Sequence, residues 1–382
     1  MILRNKISRL YNHWIFEEYR LSPEALGLFR IAYASTLLFI IGVPNFTWIS
    51  DNPDYIYSPP PSIAMFFNGF PPYFILQAIS TLLLVLFVML LFGYKTKPVS
   101  ILITLCWVIG NSFAFSFNKI DHGQLMATLL PLIMAFSNWN AAYSLDAKIA
   151  DKKIEPQYWA VTLMALILGF AMFTASIPKI MGGWLDLSTQ AVRYHFIRNY
   201  FLIPRQELLA PFFMEFDNYL FWEFLDYAGI IFEFLFLIAL FKAIWMRSMV
   251  FVAVFFHFMN ALILNIPFVF NFTVYALFLS WSLIIPLLKD KGWDKRLDKM
   301  ISFPNMIASG AVLLLILYIF QSFFGMPFVA LPSITRFIVM LVGADQLLTV
   351  GMIVITLAIL LSVYCAYHYF YKKLVTLEPV NA

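Results

Sequence analysis

Charge is what this sequence has least of. Only 12% of its 382 residues are Asp, Glu, Lys or Arg, about half the roughly 25% of an ordinary soluble domain. A large solvated surface is therefore excluded, and no nucleic-acid partner is expected. Cysteine is nearly absent. Cys106 and Cys365 both fall inside apolar runs, so there is neither a disulfide framework nor a zinc pattern. No short apolar segment with a small-residue cleavage site opens the chain, and no removable signal peptide is expected. Phosphate loops, glycine-rich dinucleotide turns and Gly-x-Ser-x-Gly elbows are missing. No His-x-x-x-His pair or carboxylate–histidine repeat suggests a metal site.

What is present is apolar. Hydrophobic residues make up 62% of the chain, gathered into runs near 20 residues that can each cross a hydrocarbon core roughly 30 Å thick. The pattern predicts an all-α, polytopic helical membrane protein with the lipid bilayer as its surroundings and no sizeable soluble domain. Ten crossings are expected, at about 24–44, 74–93, 99–118, 123–138, 157–177, 221–241, 245–265, 268–288, 306–325 and 346–370. The fourth is short. With the N-terminus inside, 18 of the 25 Lys and Arg residues fall on inner segments and six on outer ones, and Arg30 lies within a helix. That bias follows the positive-inside rule and predicts a multi-pass protein with both termini cytoplasmic. A bacterial inner membrane is the expected location.

Residues 1–22 read as an amphipathic interfacial helix, with Leu3, Ile7, Leu10 and Trp14 on one stripe and Arg4, Lys6 and Arg9 off it. Such a stripe packs either on the membrane surface or on the protein itself. Residues 23–288 form the transmembrane core, and 289–304 a second interfacial helix on the cytoplasmic side. Residues 305–382 supply two further crossings and a short tail. Connections 45–73, 178–220 and 326–345 lie outside. They carry proline and aromatics rather than charge runs, which predicts packed caps rather than loose linkers.

Ionisable residues at membrane depth are costly and need a partner or a task. Arg30, one turn into the first crossing, reads as structural, paired with an acid or with helix carbonyls. Asp121 is a plausible N-cap for the fourth crossing, and His122 begins that helix. Glu233 sits midway along the sixth crossing, and His257 and Asn260 lie three apart on one face of the seventh. Lys179 stands where the fifth apolar run ends, followed by Gly182, Gly183 and Trp184. The glycines permit a tight turn that Trp184 can anchor. A lysine there either snorkels to the headgroups or is held in a cavity. In a cavity, desolvation disfavours the ammonium form and makes the amine a base.

Several of these stretches together resemble the membrane core of the vitamin K-dependent γ-carboxylases, within the wider horizontally transferred transmembrane (HTTM) domain family. The matching pieces are Leu26-Gly-Leu-Phe-Arg-Ile-Ala, Asp121-His122, Asn140-Ala-Ala-Tyr-Ser-Leu-Asp146, Ala175-Ser-Ile-Pro-Lys179 with Trp184, Glu233, and Phe256-His-Phe-Met-Asn260. They occur in the family's order over roughly residues 20–285.

The resemblance implies a lysine base that deprotonates a reduced naphthoquinone. Oxygen then adds, and the resulting alkoxide removes a γ-proton from a peptide glutamate, which captures carbon dioxide. By that resemblance Lys179 is the base and His122 steers the carbanion. His257, Asn260, Glu233 and Trp184 surround the quinone or the lysine. The implied cofactors and partners are a reduced vitamin K or menaquinone-type quinol, O2, CO2 and a peptide substrate. Two departures stand out: Pro178-Lys179 replaces an adjacent lysine pair, and the large extramembrane domain of the carboxylases is not present in this chain. A non-catalytic partner in the maturation or export of a peptide toxin is the alternative. A small-solute transporter is a third reading, although repeated halves with matching broken helices are not visible.

Overall fold

Where water cannot reach the backbone, each apolar run must satisfy its own N–H and C=O groups, and helices do so within one segment. The computed structural model describes residues 2–117, 120, 122–203, 205–324 and 346–375. These residues are helical or loop, with one isolated bridge between Ser58 and Phe117. In chain order the helices are α1 (Ile2–Phe16), α2 (Pro23–Ser35, continued by a π turn Thr36–Ile41), α3 (Tyr73–Phe92), α4 (Thr96–Ala114), α5 (Leu125–Met134), α6 (Leu145–Ile149), α7 (Trp159–Met181) and α8 (Ala191–Leu202). There follow α9 (Ala210–Glu215), α10 (Tyr219–Ala239), α11 (Ala243–Leu264), α12 (Val269–Tyr275), α13 (Trp281–Asp290), α14 (Trp293–Met300), α15 (Phe303–Phe324) and α16 (Gln346–Val375). The expected cap at 326–345 lies outside the described residues, as does the tail from 376.

Among the described residues, six helices are long and apolar enough to cross a bilayer: Pro23–Ile41, Tyr73–Phe92, Thr96–Ala114, Trp159–Met181, Ala243–Leu264 and Leu348–His368. Two bent pairs, Val269–Phe278 with Trp281–Asp290 and Trp293–Met300 with Phe303–Ile316, raise the count to eight if each is one span. Two of the ten expected crossings fall short of this. The fourth contains an α-helix of only 10 residues, and α10 is 21 residues long but carries Glu223, Asp226 and Glu233.

The chain divides into two compact units. The first comprises Met1–Arg20, Val161–Ser280 and Asp345–Ala382. Here the end of α1 is tied to the α10–α11 turn. Trp14 Nε1 and Tyr19 Oη both donate to the Leu240 carbonyl, at 3.1 and 2.7 Å, and Glu18 accepts from Ala243 N–H at 2.8 Å. Earlier in α1, Ile7, Leu10 and Tyr11 stay exposed. Gly169 lets α7 approach the backbone of α10, since a Cβ there would sit 3.1 Å from the Phe236 carbonyl oxygen. Phe232 of α10 stacks on Phe256 of α11 with centroids 4.3 Å apart.

The second unit comprises Leu21–Ala160 and Trp281–Ala344. Ser22 caps α2 by accepting from Ala25 N–H, and Pro23 sits in the first turn, a position that needs no N–H donor. Arg30 is fully buried and donates to the Tyr143 carbonyl. Asp146, within electrostatic reach of Arg30, accepts from Lys95 N, Thr96 N and Asn140 Nδ2 at 2.8, 2.8 and 2.9 Å. Gly93, at φ +64°, ends α3 in the left-handed region, and a Cβ there would overlap the Arg30 guanidinium. In α5, Pro131 has no N–H to give the Ala127 carbonyl. Tyr33 Oη donates to it instead, at 2.8 Å.

Candidate functional site around Lys179

The site lies in the first unit and α10 organises it. Its residues 223, 226, 230 and 233 recur at helical spacing and are all buried. The last turn of α7 presents Lys179, after which the chain turns sharply. Gly182 and Trp184 donate their N–H groups back to Pro178 and Lys179 carbonyls at 2.8 and 3.1 Å, and Gly183 takes φ +80°. Trp184 then folds over α10 beside Gly229, where a Cβ would meet the indole at 4.0 Å.

Lys179 Nζ donates to Glu233 Oε1 and lies 5.2 Å from the centre of the Trp184 ring. The ammonium is thus held by a carboxylate and by an aromatic face, with the lysine side chain 25% exposed and the glutamate 10%. Free snorkelling does not describe it. Glu233 Oε2 is buried and has no hydrogen-bond partner among the described residues.

His257 is enclosed. Its Nε2 shares a 2.9 Å hydrogen bond with Tyr275 Oη, and the rings of Phe256, Phe268 and Phe272 surround it. Its Nδ1 is buried without a partner among the described residues. Lys179 is within electrostatic reach of His257, and Glu233 of Tyr275. Asn260, one turn along, is half-buried. It contributes its carbonyl, which accepts from Asn265 and Ile266 N–H at the end of α11.

Loop 182–190 and α8 are fastened to α10. Asp226 accepts from Ala191 N and Val192 N, both at 2.7 Å, capping α8 from another helix. Glu223 Oε1 accepts from Gln190 N at 3.3 Å. Tyr227 Oη donates to the Leu185 carbonyl at 2.8 Å, and Tyr219 Oη to that of Leu187. Asp186, exposed in the turn, has its carboxyl held below the usual range by hydrogen bonds from the backbone and side chain of Ser188.

No protein-family model, curated protein or solved structure matches this chain.

Of the residues expected at the site, Lys179, Trp184, Glu233, His257 and Asn260 share one unit. His122 belongs to the other, in a 3-10 turn over His122–Gln124 that precedes α5. Its side chain lies outside the described residues, as does Asp121. Arg30 stands apart in the second unit with the Asp146 network. Glu223, Asp226, Tyr275 and His195 are not among the residues the sequence singles out. For the first two the signal was available, because they stand ten and seven residues before Glu233, on its own face of the helix.

Proposed function

We propose that this chain is an integral, multi-pass membrane enzyme of the γ-carboxylase-like type. Lys179 and Glu233 form its acid–base centre. The ten-crossing arrangement, cytoplasmic termini and bacterial inner membrane belong to the same proposal. The observation that carries it is the Lys179–Glu233 bond beneath Trp184, because it couples an amine to a carboxylate that can take or return its proton at Oε1.

Two observations fit a flat, apolar, hydrogen-bonding cofactor here. Glu233 Oε2 and His257 Nδ1 are buried without partners among the described residues, and aromatic rings gather around His257. Glu233 and His257 would hold it through those two atoms, with Trp184 closing the outer side. A reduced naphthoquinone with oxygen would supply, when bound, the basicity needed to remove a carbon-bound proton from a peptide or other acceptor, on which CO2 can then be captured. The protein's part is narrower. Lys179 passes its ammonium proton to Glu233 Oε1 and then, as the free amine, accepts a proton. Glu233 orients the amine and keeps the first proton, Trp184 limits water at Nζ, and Tyr275 fixes the His257 ring.

The test is turnover of reduced menaquinone or vitamin K by purified protein in lipid, with oxygen, comparing wild type with K179A and K179R at matched folding. Oxygen-dependent epoxide formation that disappears in both variants is the expected result. No turnover by wild type, with or without candidate peptides, overturns it.

One observation favours a second reading, a non-catalytic partner in peptide maturation or export. The ammonium of Lys179 is already satisfied by Glu233 and Trp184, as a structural cation would be. A wild type inert toward quinol that co-purifies with a secreted peptide would decide for it.

A further inference from the structure

Helix α8 is amphipathic in an unusual sense. Its inner face is Val192, Phe196 and Asn199, buried, with Phe196 stacked on Trp222 at 5.6 Å. The opposite face does not turn to charge alone. Tyr194, Phe201 and Leu202 are 65%, 64% and 71% exposed, and they share that face with Arg198 and His195, in keeping with spacings of three, four and seven residues. A soluble helix would place lysines and glutamates there. This one shows large apolar side chains and a cation.

The depth of α8 is set by its cap. Ala191 and Val192 are bonded to Asp226, seven residues beyond the start of α10 at Tyr219, hence about 10 Å along that helix at 1.5 Å per residue. Helix α8 therefore begins level with the second turn of α10, a 21-residue helix that the proposed ten-crossing arrangement places across the bilayer. Arg198 and Arg205 both lie within electrostatic reach of His195, whereas Lys179 is engaged by Glu233.

We propose that the exposed face of α8 is a lipid-docking surface that lies in the headgroup layer and binds the phosphates of anionic lipids through Arg198 and its neighbouring cations. Apolar and aromatic residues enter the acyl boundary while the guanidinium meets phosphate, the arrangement of interfacial helices. The occupant follows from charge complementarity and from the covalent continuity of the segment with α7 and α10. The inference rests on the membrane-spanning reading of the chain but not on its catalytic part. Its consequence is local: anionic lipid would be concentrated at the mouth of the Lys179–Glu233 pair.

The test uses nitroxide labels at Tyr194→Cys and Leu202→Cys, with Leu82→Cys on the exposed middle of α3 as reference. The full-length protein is placed in nanodiscs of phosphatidylcholine or phosphatidylglycerol. The two native cysteines are buried. Both α8 labels should relax faster with oxygen than with a water-soluble nickel chelate. Phosphatidylglycerol should raise that ratio at least twofold, and Arg198→Gln with Arg205→Gln should remove the increase. Greater access to nickel means solvent, and access to neither reagent means a protein partner or a second copy. Either result with a lipid-like Leu82 label overturns the inference alone, and an equal ratio in both lipids overturns the selectivity for anionic lipid, since phosphatidylcholine carries a phosphate too. A Leu82 label exposed to nickel overturns the membrane reading itself.

Discussion

Lys179 and Glu233 form a hydrogen-bonded ion pair between two helices, 54 residues apart in the chain. The pair is mostly withdrawn from water, so removing one member leaves the other charge without compensation. Such losses run to roughly 3–5 kcal/mol, and partial exposure of Lys179 puts this one near the lower end, about 3 kcal/mol. K179A and E233Q should each lower the thermal unfolding midpoint in detergent. The apolar double variant K179M/E233L should recover more than half of that loss. A double variant as unstable as the sum of its parts would show that the two residues are not coupled.

The same logic applies to a neutral pair. Tyr275 Oη holds His257 Nε2 at 2.9 Å, with both residues buried. Tyr275→Phe leaves a ring nitrogen unsatisfied, which costs about 1–3 kcal/mol. H257F/Y275F removes both polar groups and should sit closer to wild type than Y275F does. Urea unfolding followed by tryptophan fluorescence checks the order, and a double variant less stable than both singles would contradict it.

How far these relationships could be read in advance differs from one to the next. Apolar runs set the helices, so the ends of α3, α7 and α11 agree with the expected crossings within a few residues. Partners are another matter. His257 and Asn260 share one face of a helix, but the sequence shows only one helix at a time and not what that face meets. The hydrogen-bond partner of His257, Tyr275, is 18 residues on, beyond a helix break at which Asn265 and Phe268 both adopt positive φ. No periodicity crosses such a turn. Asp226 was harder in another way. A carboxylate in an apolar helix reads as a cost until the open N-terminus of α8 is placed against it.

That cap is the third expectation. Asp226 accepts two 2.7 Å bonds from the first N–H groups of α8, satisfying donors that the helix itself cannot. Loss of a capping side chain costs about 0.5–2 kcal/mol, and these bonds are short and buried. Asp226→Ala should therefore destabilise the segment by about 2 kcal/mol and accelerate amide exchange through Ala191–Leu202 more than in α10. Uniform acceleration of both helices would mean that Asp226 stabilises the unit globally rather than α8.

His195 gives the pH dependence. Partial burial, and then the charges of Arg198, Arg205 and Lys179, hold its imidazole below the ordinary value of about 6.5. A histidine depressed in the folded state binds its proton more readily when unfolded. Its contribution to stability is therefore intact above about pH 6.5 and is lost as the pH falls through that value toward the lower folded one. The difference in unfolding midpoint between wild type and His195→Gln should be constant at pH 7–8 and shift against wild type on acidification. Arg198→Gln removes one of the opposing charges, so the ring titration followed by NMR should move upward. Anionic lipid should move it the same way by placing uncompensated negative charge beside the ring, and zwitterionic lipid, whose phosphate is balanced by choline, should not. A titration at or above 6.5 in detergent would mean that the three cations do not converge on this face of α8.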